Sequence, residues 1–169
     1  GKIGSHVATV AKAMGMNIVV YDPYAKKEVV EKLNAKLVDD LEDFWHEPDF
    51  ITIHVPKTKE TVNLINKETI AKMKKGVRLV NCARGGVVNE ADLREALDND
   101  YVAGAALDVF CDEKDITTSP LYGCEKNLVM TPHLGATTFE AQVRVAEDVA
   151  TQIKIVLQGG KTPNAVNKL

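Results

Sequence analysis

Scarcity is informative in this 169-residue chain, which holds 3 cysteines, 1 tryptophan and only 5% aromatic residues. Cys82, Cys111 and Cys124 are odd in number and far apart, so they suggest neither a disulfide framework nor a zinc site. That usage fits a reducing cytoplasm. No apolar run approaches the roughly 20 residues of a membrane span, and the first residues lack the basic-then-apolar order of a signal peptide. Neither a membrane partner nor export is expected. The formal net charge is -3 with acids and bases interspersed, which leaves no basic footprint for nucleic acid. Lys72, Lys74 and Lys75 read as a solvated helix end, and the single Trp45 as packing beneath a connection.

What the chain does have is alternation. Its apolar fraction of 45% suffices for one domain with a core of its own. Val7, Val10, Ala11 and Met14 carry helical spacing over Ser5 to Met14, and Gly15 stops it. A β-rich run from Asn17 to Asp22 ends at Pro23, and Lys26 to Leu33 resumes helical spacing. Leu37 and Val38 suggest a short strand, Leu41 to Trp45 a short helix, and Asp49 to Pro56 another strand. Helix follows over Asn66 to Met73, a buried strand over Val77 to Cys82, and a helix opened by Asn89 and Asp92 through Leu97. Val102 to Phe110 and Leu128 to His133 read as buried strands before a long helix, Thr138 to Leu157, that Gly159 and Gly160 end. Strands alternating with helices imply an α/β fold with a parallel, doubly wound sheet of Rossmann type.

Three of these strand-like stretches run into polar or glycine-bearing loops carrying Arg84, Glu113 and His133. Loops after the carboxyl ends of parallel strands gather at one edge, where ligands bind. A guanidinium, a carboxylate and an imidazole converging there would form a substrate-handling set. The remaining histidines, His6, His46 and His54, default to structural or solvated roles. Gly1-Lys2-Ile3-Gly4 before a helix has the spacing of the last two glycines of a dinucleotide fingerprint. Asp22 ends the next strand about 18 residues beyond Gly4, where an acid can bond ribose hydroxyls and repel a 2′-phosphate. NAD is therefore expected over NADP, with a plain turn at Asp22 and Pro23 as the alternative. The fingerprint's first glycine and preceding strand are not in the sequence. Without that strand two half-sheets would face each other with unpaired edges, so the sequence reads as part of a longer chain.

Set in order, Gly1 to Gly4, Asp22, Asn81-Cys-Ala-Arg-Gly-Gly86, Gly104-Ala-Ala-Leu-Asp-Val-Phe110 and Pro132-His-Leu-Gly-Ala-Thr137 make the chain resemble the D-isomer-specific 2-hydroxyacid dehydrogenases. The resemblance implies His133 as acid/base, Glu113 as its carboxylate partner, and Arg84 as the group holding the substrate's carboxylate and carbonyl. It implies NAD contacts at Lys2, Ile3 and Gly4 for the pyrophosphate and Asp22 for the ribose. Val55, Pro56, Cys82, Ala83, Arg84 and Asp108 would surround the nicotinamide half, flanked by His133, Leu134, Gly135 and Ala136. No metal is implied. The chemistry agrees, since oxidising an alcohol to a ketone releases a proton that an imidazole can take near neutral pH. An arginine fork can engage a carboxylate and still polarise the adjacent carbonyl.

The acidic loop reads Cys111-Asp112-Glu113-Lys114, where the family usually follows its acids with proline, so Glu113 is chosen over Asp112 by counting from Asp108. The implied substrate is a small D-2-hydroxy acid or its 2-keto partner, on the pattern of the branch acting on 3-phosphoglycerate. A glyoxylate or hydroxypyruvate reductase is an alternative, and an NAD-sensing corepressor is an alternative of another class. A homodimer or larger homo-oligomer is implied, with Val87 to Tyr101 a plausible contact region. Residues 1–150 are read as the NAD-binding domain, and 151–169 as the helix end and a tail returning toward a substrate domain built from other residues.

Overall fold

The computed structural model describes residues 1–161 and 164–165. They fall into two compact units, Gly1–Pro132 and a second from His133 onward. In the first, α1 (Lys2–Ala13) starts earlier than Ser5, where the apolar spacing begins. Ile3 is 70% exposed, so it adds nothing to the apolar face from which a helix start is read. β1 (Val19–Val20) pairs in parallel with β2 (Lys36–Leu37), and α2 (Lys27–Lys32) connects them. After α3 (Leu41–Phe44) comes a separate, fully parallel sheet. Its order is β3 (Phe50–Ile53), β4 (Val77–Asn81), β5 (Val102–Leu107), β6 (Leu128–Met130). α4 (Lys67–Lys72) and α5 (Glu90–Asp98) make the crossovers. The doubly wound parallel arrangement is therefore present as two sheets, with no strand joining them among the described residues.

Alternation along the strands places the core. Ile51 and Ile53 of β3 are buried while Phe50 and Thr52 are exposed, and Arg78 of β4 stacks its guanidinium 5.3 Å from the Phe50 ring on the open face. Val77, Leu79, Val102 and Leu107 join Leu93, Ala96 and Leu97 of α5 in one buried cluster. Trp45 is buried there too and meets the Phe44 ring edge-on, 5.7 Å between centroids. Lys72 and Lys74 are exposed as expected of a helix end, yet they bridge to Glu42 at 2.7 Å and Asp49 at 3.0 Å.

The expectation of a buried strand from Leu128 to His133 needs correction. β6 stops at Met130, and its Val129 is 61% exposed. The strand is the edge of its sheet and pairs only with β5, so an apolar run that reads as core is half uncovered. The run from Asn17 to Asp22 likewise contracts to the half-buried pair Val19–Val20.

The second unit is dominated by α6 (Phe139–Leu157), which runs unbroken through residue 150. Thr138 caps it, accepting from the Ala141 amide at 3.2 Å. Gly159, at φ +79, takes the left-handed conformation at its end. Residues 162–163 and 166–169 of the expected returning tail lie outside the described residues. Among the described residues no helix is long and apolar enough to cross a membrane, and no group of three or more histidine, cysteine or acidic side chains could hold a metal ion.

Candidate active site

Register aligns the strand ends. Ile53 pairs with Asn81, Asn81 with Leu107, and Leu107 with Met130. Four strands thus finish level, and the segments after them leave from one edge, the position at which open α/β sheets bind ligands.

Arg84 stands on a turn built by the last residue of β4. Asn81 is only 2% exposed; its Oδ1 accepts from the Ala83 amide at 3.0 Å and its Nδ2 donates to the Arg84 carbonyl at 3.1 Å. The side chain closes the turn that its own backbone begins. Arg84 itself is exposed, with Nη1 donating to the Ala83 carbonyl at 2.6 Å. Sequence reasoning found Arg84 and passed over Asn81, although an asparagine at a strand end just before a turn is a usable signal. In the full-length protein, Asn81→Ala is expected to lower the unfolding free energy in urea by about 1–3 kcal/mol, because two backbone groups lose their partner. Unfolding at the wild-type midpoint would show that the turn holds without it.

The next two residues join this turn to the loop bearing Glu113. A Cβ on Gly85 would lie 1.7 Å from the Phe110 carbonyl oxygen, so the backbones touch where only glycine fits. Beyond it the chain is pinned beside residues 63–65, with Asn63 donating to the Gly86 carbonyl at 2.8 Å and Ile65 to that of Val87 at 3.1 Å. Asp108, just past β5, is buried and accepts from the Thr131 hydroxyl at 2.5 Å. Burial, then the Asp108 carboxylate, push the Cys82 thiol above its usual range. Burial and Glu90 do the same to Cys111. Both thiols therefore stay protonated near neutral pH rather than offering thiolates.

Of the two acids in the loop, Asp112 is occupied with local turns. Its Oδ1 accepts from the Lys114 amide at 2.9 Å and the Asp115 amide at 3.4 Å. Glu113 is exposed and turns Oε1 toward the Phe110 amide at a long 3.4 Å. The Arg84 and Glu113 loops are thereby brought together inside the first unit.

His133 lies in the second unit with Leu134, Gly135 and Ala136, all exposed. Its φ is +55, in the left-handed region, and its carbonyl accepts from the Thr137 hydroxyl at 3.2 Å. The other described non-glycine residues with positive φ are Asn34, Asn63 and Asp100. All four are residue types that enter the left-handed region more readily than most, at a modest torsional cost.

The cofactor half of the expected site gathers at the start of α1. Its first-turn amides, those of Lys2, Ile3 and Gly4, receive no side-chain cap from Gly1. Uncapped amides at a helix start suit a diphosphate. The Asp22 Oδ2 lies 3.7 Å from the Gly1 nitrogen, beside that turn. Its Oδ1 accepts from the Tyr24 amide at 2.9 Å, so Asp22 shapes the turn at Pro23. Gly4 packs against His54, where a Cβ would sit 3.4 Å from the ring. Burial holds the His54 pKa below its ordinary value, and the ring bonds the Thr52 hydroxyl at 2.9 Å, a structural role. Val55, half-buried, and Pro56, exposed, follow it past β3. Uncapped first-turn amides, a carboxylate at Asp22 and the buried Asp108 near Cys82 are chemically compatible with a dinucleotide.

Residues 1–135 match the family profile described as D-isomer specific 2-hydroxyacid dehydrogenase, NAD binding domain. The chain is 53% identical over 167 residues to a D-3-phosphoglycerate dehydrogenase of Synechocystis sp., covering 99% of this chain and 30% of that protein. To the D-3-phosphoglycerate dehydrogenase of Methanocaldococcus jannaschii it is 48% identical, covering 99% and 32%. Among solved structures, a D-lactate dehydrogenase from Aquifex aeolicus complexed with NAD and lactic acid aligns with a TM-score of 0.81 and 35% identity, over 94% of this chain and 51% of that one. The chain thus spans about a third of the length of these curated relatives.

Proposed function

Because the chain belongs to the D-isomer-specific 2-hydroxyacid dehydrogenase family, as its NAD-binding domain, we propose that it serves an oxidoreductase that interconverts 3-phosphoglycerate and 3-phosphohydroxypyruvate. The observation that carries this reading is Arg84, an exposed guanidinium at the carboxyl edge of a parallel sheet, on a turn fixed by the buried Asn81. A planar cation presented there suits a 2-keto acid, whose carboxylate and carbonyl lie side by side.

In this reading Arg84 anchors the acid and polarises its carbonyl, which prepares the carbon for hydride in the reductive direction. His133 gives a proton to the carbonyl oxygen during reduction and takes one from the hydroxyl during oxidation. Glu113 orients that imidazole and favours its charged form; the commitment of Asp112 to local turns supports assigning the role to Glu113. NAD, when bound, supplies the hydride acceptor for the alcohol. Lys2, Ile3 and Gly4 would hold its diphosphate and Asp22 its ribose. Val55, Pro56, Cys82, Ala83, Arg84, Asp108 and His133 to Ala136 would surround the nicotinamide half. Cytoplasmic placement, serine biosynthesis and a homodimeric or larger assembly belong to the same proposal and rest on the family resemblance.

The decisive experiment is NADH oxidation by the purified full-length protein with 3-phosphohydroxypyruvate, glyoxylate and hydroxypyruvate compared at equal concentration. The phosphorylated acid is expected to give the highest kcat/KM. A preference for either unphosphorylated acid would replace the substrate assignment. NADH binding without turnover of any 2-keto acid would favour a corepressor instead.

A further inference from the structure

We propose that Glu90 is a positioning residue: its buried carboxylate ties together the two ends of the loop that carries Glu113 and so holds Glu113 in place. The inference rests on the role given to Glu113 above.

Glu90 is the first residue of α5, directly after the Asn89 cap, and is 6% exposed. Its Oε1 accepts from the Cys111 amide at 2.6 Å, and its Oε2 accepts from the Ser119 hydroxyl. Ser119 is buried as well, and its oxygen accepts from the amide of the fully buried Leu121 at 3.2 Å. One carboxylate therefore fixes where the loop leaves the sheet and where it returns to the core. Between these points every residue is exposed except the half-buried Ile116, so packing contributes little to the position of Glu113. The anchor is rigid because Leu93 and Leu97, further along α5, are buried in the core cluster.

The same carboxylate has no ion-pair partner among the described residues. A buried carboxylate without a cation has a large desolvation cost, offset here by donors from the loop and by its place in the first turn of α5. An apolar side chain of similar size would remove that desolvation cost but leave the Cys111 amide and the buried Ser119 hydroxyl without their acceptor. What an apolar side chain could not do is hold two chain segments at one point. The loop also abuts the arginine turn, since Phe110 immediately precedes Cys111 and touches Gly85. Glu90 thus sets the carboxylate loop against the turn bearing Arg84.

The test uses full-length protein with Glu90→Ala and Glu90→Gln. In Glu90→Ala, amide hydrogen exchange over residues 111–119 is expected to accelerate while β4 and β5 keep wild-type protection. With NADH and 3-phosphohydroxypyruvate, kcat is expected to fall about 100-fold, the order of loss that a displacement of about 1 Å can cause, with KM little changed. Glu90→Gln should restore most of both, because its amide oxygen still accepts from Cys111 and its NH2 can donate to the Ser119 oxygen. Should Glu90→Ala fail to fold, Ser119→Ala removes one of the two loop contacts and should give the same two changes at smaller amplitude. Unchanged exchange over 111–119, or wild-type kcat despite faster exchange, overturns the proposal. If the wild-type enzyme turns over no 2-keto acid, the exchange measurement still decides: faster exchange in Glu90→Ala retains the clamp and removes only the functional reading, and unchanged exchange removes the clamp.

Discussion

Replacing His133 with alanine in the full-length enzyme is expected to lower kcat for NADH-driven reduction of 3-phosphohydroxypyruvate about 1000-fold, within the range of a lost general acid. NADH affinity should change far less. The expectation follows from the chemistry, because hydride delivered to a ketone leaves an alkoxide that must be protonated, and the imidazole is the side chain assigned to do it. The backbone offers a second readout. At φ +55 an alanine is strained and a glycine is not, so His133→Gly should be more stable to urea than His133→Ala by about 1 kcal/mol. Both variants should nevertheless lose activity alike. If His133→Gly recovered activity along with stability, the imidazole would be a conformational feature and not the acid. Either variant retaining kcat within about tenfold of wild type would also remove the general-acid role.

The residues proposed to carry the chemistry were legible in the sequence, while those proposed to order their loops were largely not. Arg84 and His133 stand out because strand-like runs lead into their loops, and chain order alone conveys that. Asn81 and Glu90 owe their roles to partners across a turn or a loop: Asn81 to the backbone of Ala83 and Arg84, Glu90 to Cys111 and Ser119. A glutamate opening a helix reads from sequence as one more favourable charge at the helix start, and only its burial distinguishes it. Burial was also where the strand reading failed. Leu128 and Met130 do pack against the core, but Val129 between them is exposed, because which strand occupies the edge is set by sheet order, to which local hydrophobicity is blind. Asp22 shows a different ambiguity: its Oδ1 takes the turn role, accepting from the Tyr24 amide, and a turn of that kind leaves the proposed ribose role to be decided by binding measurements.

Gly85→Ala is expected to be the most destabilising small substitution in the arginine turn, lowering the unfolding free energy by about 3 kcal/mol or more. The added carbon would lie 1.7 Å from the Phe110 carbonyl oxygen and 2.3 Å from its carbon. Those are backbone atoms, which have no alternative rotamer, and the Phe110 side chain is itself buried in the core cluster. Gly86 provides the control. Its φ of +80 makes any side chain strained, but a Cβ there would meet the tip of Lys57 at 2.8 Å, and a lysine amine can swing aside. Gly86→Ala should therefore cost about 1 kcal/mol from torsion, less than its neighbour. The contact can be relieved only by moving the arginine turn and the carboxylate loop apart. Gly85→Ala should consequently lose kcat with 3-phosphohydroxypyruvate even at temperatures where the full-length protein remains folded. Urea midpoints and kcat measured on both variants check the ordering: a Gly86→Ala loss exceeding that of Gly85→Ala would mean that torsion, not backbone contact, governs how these two loops are set against each other.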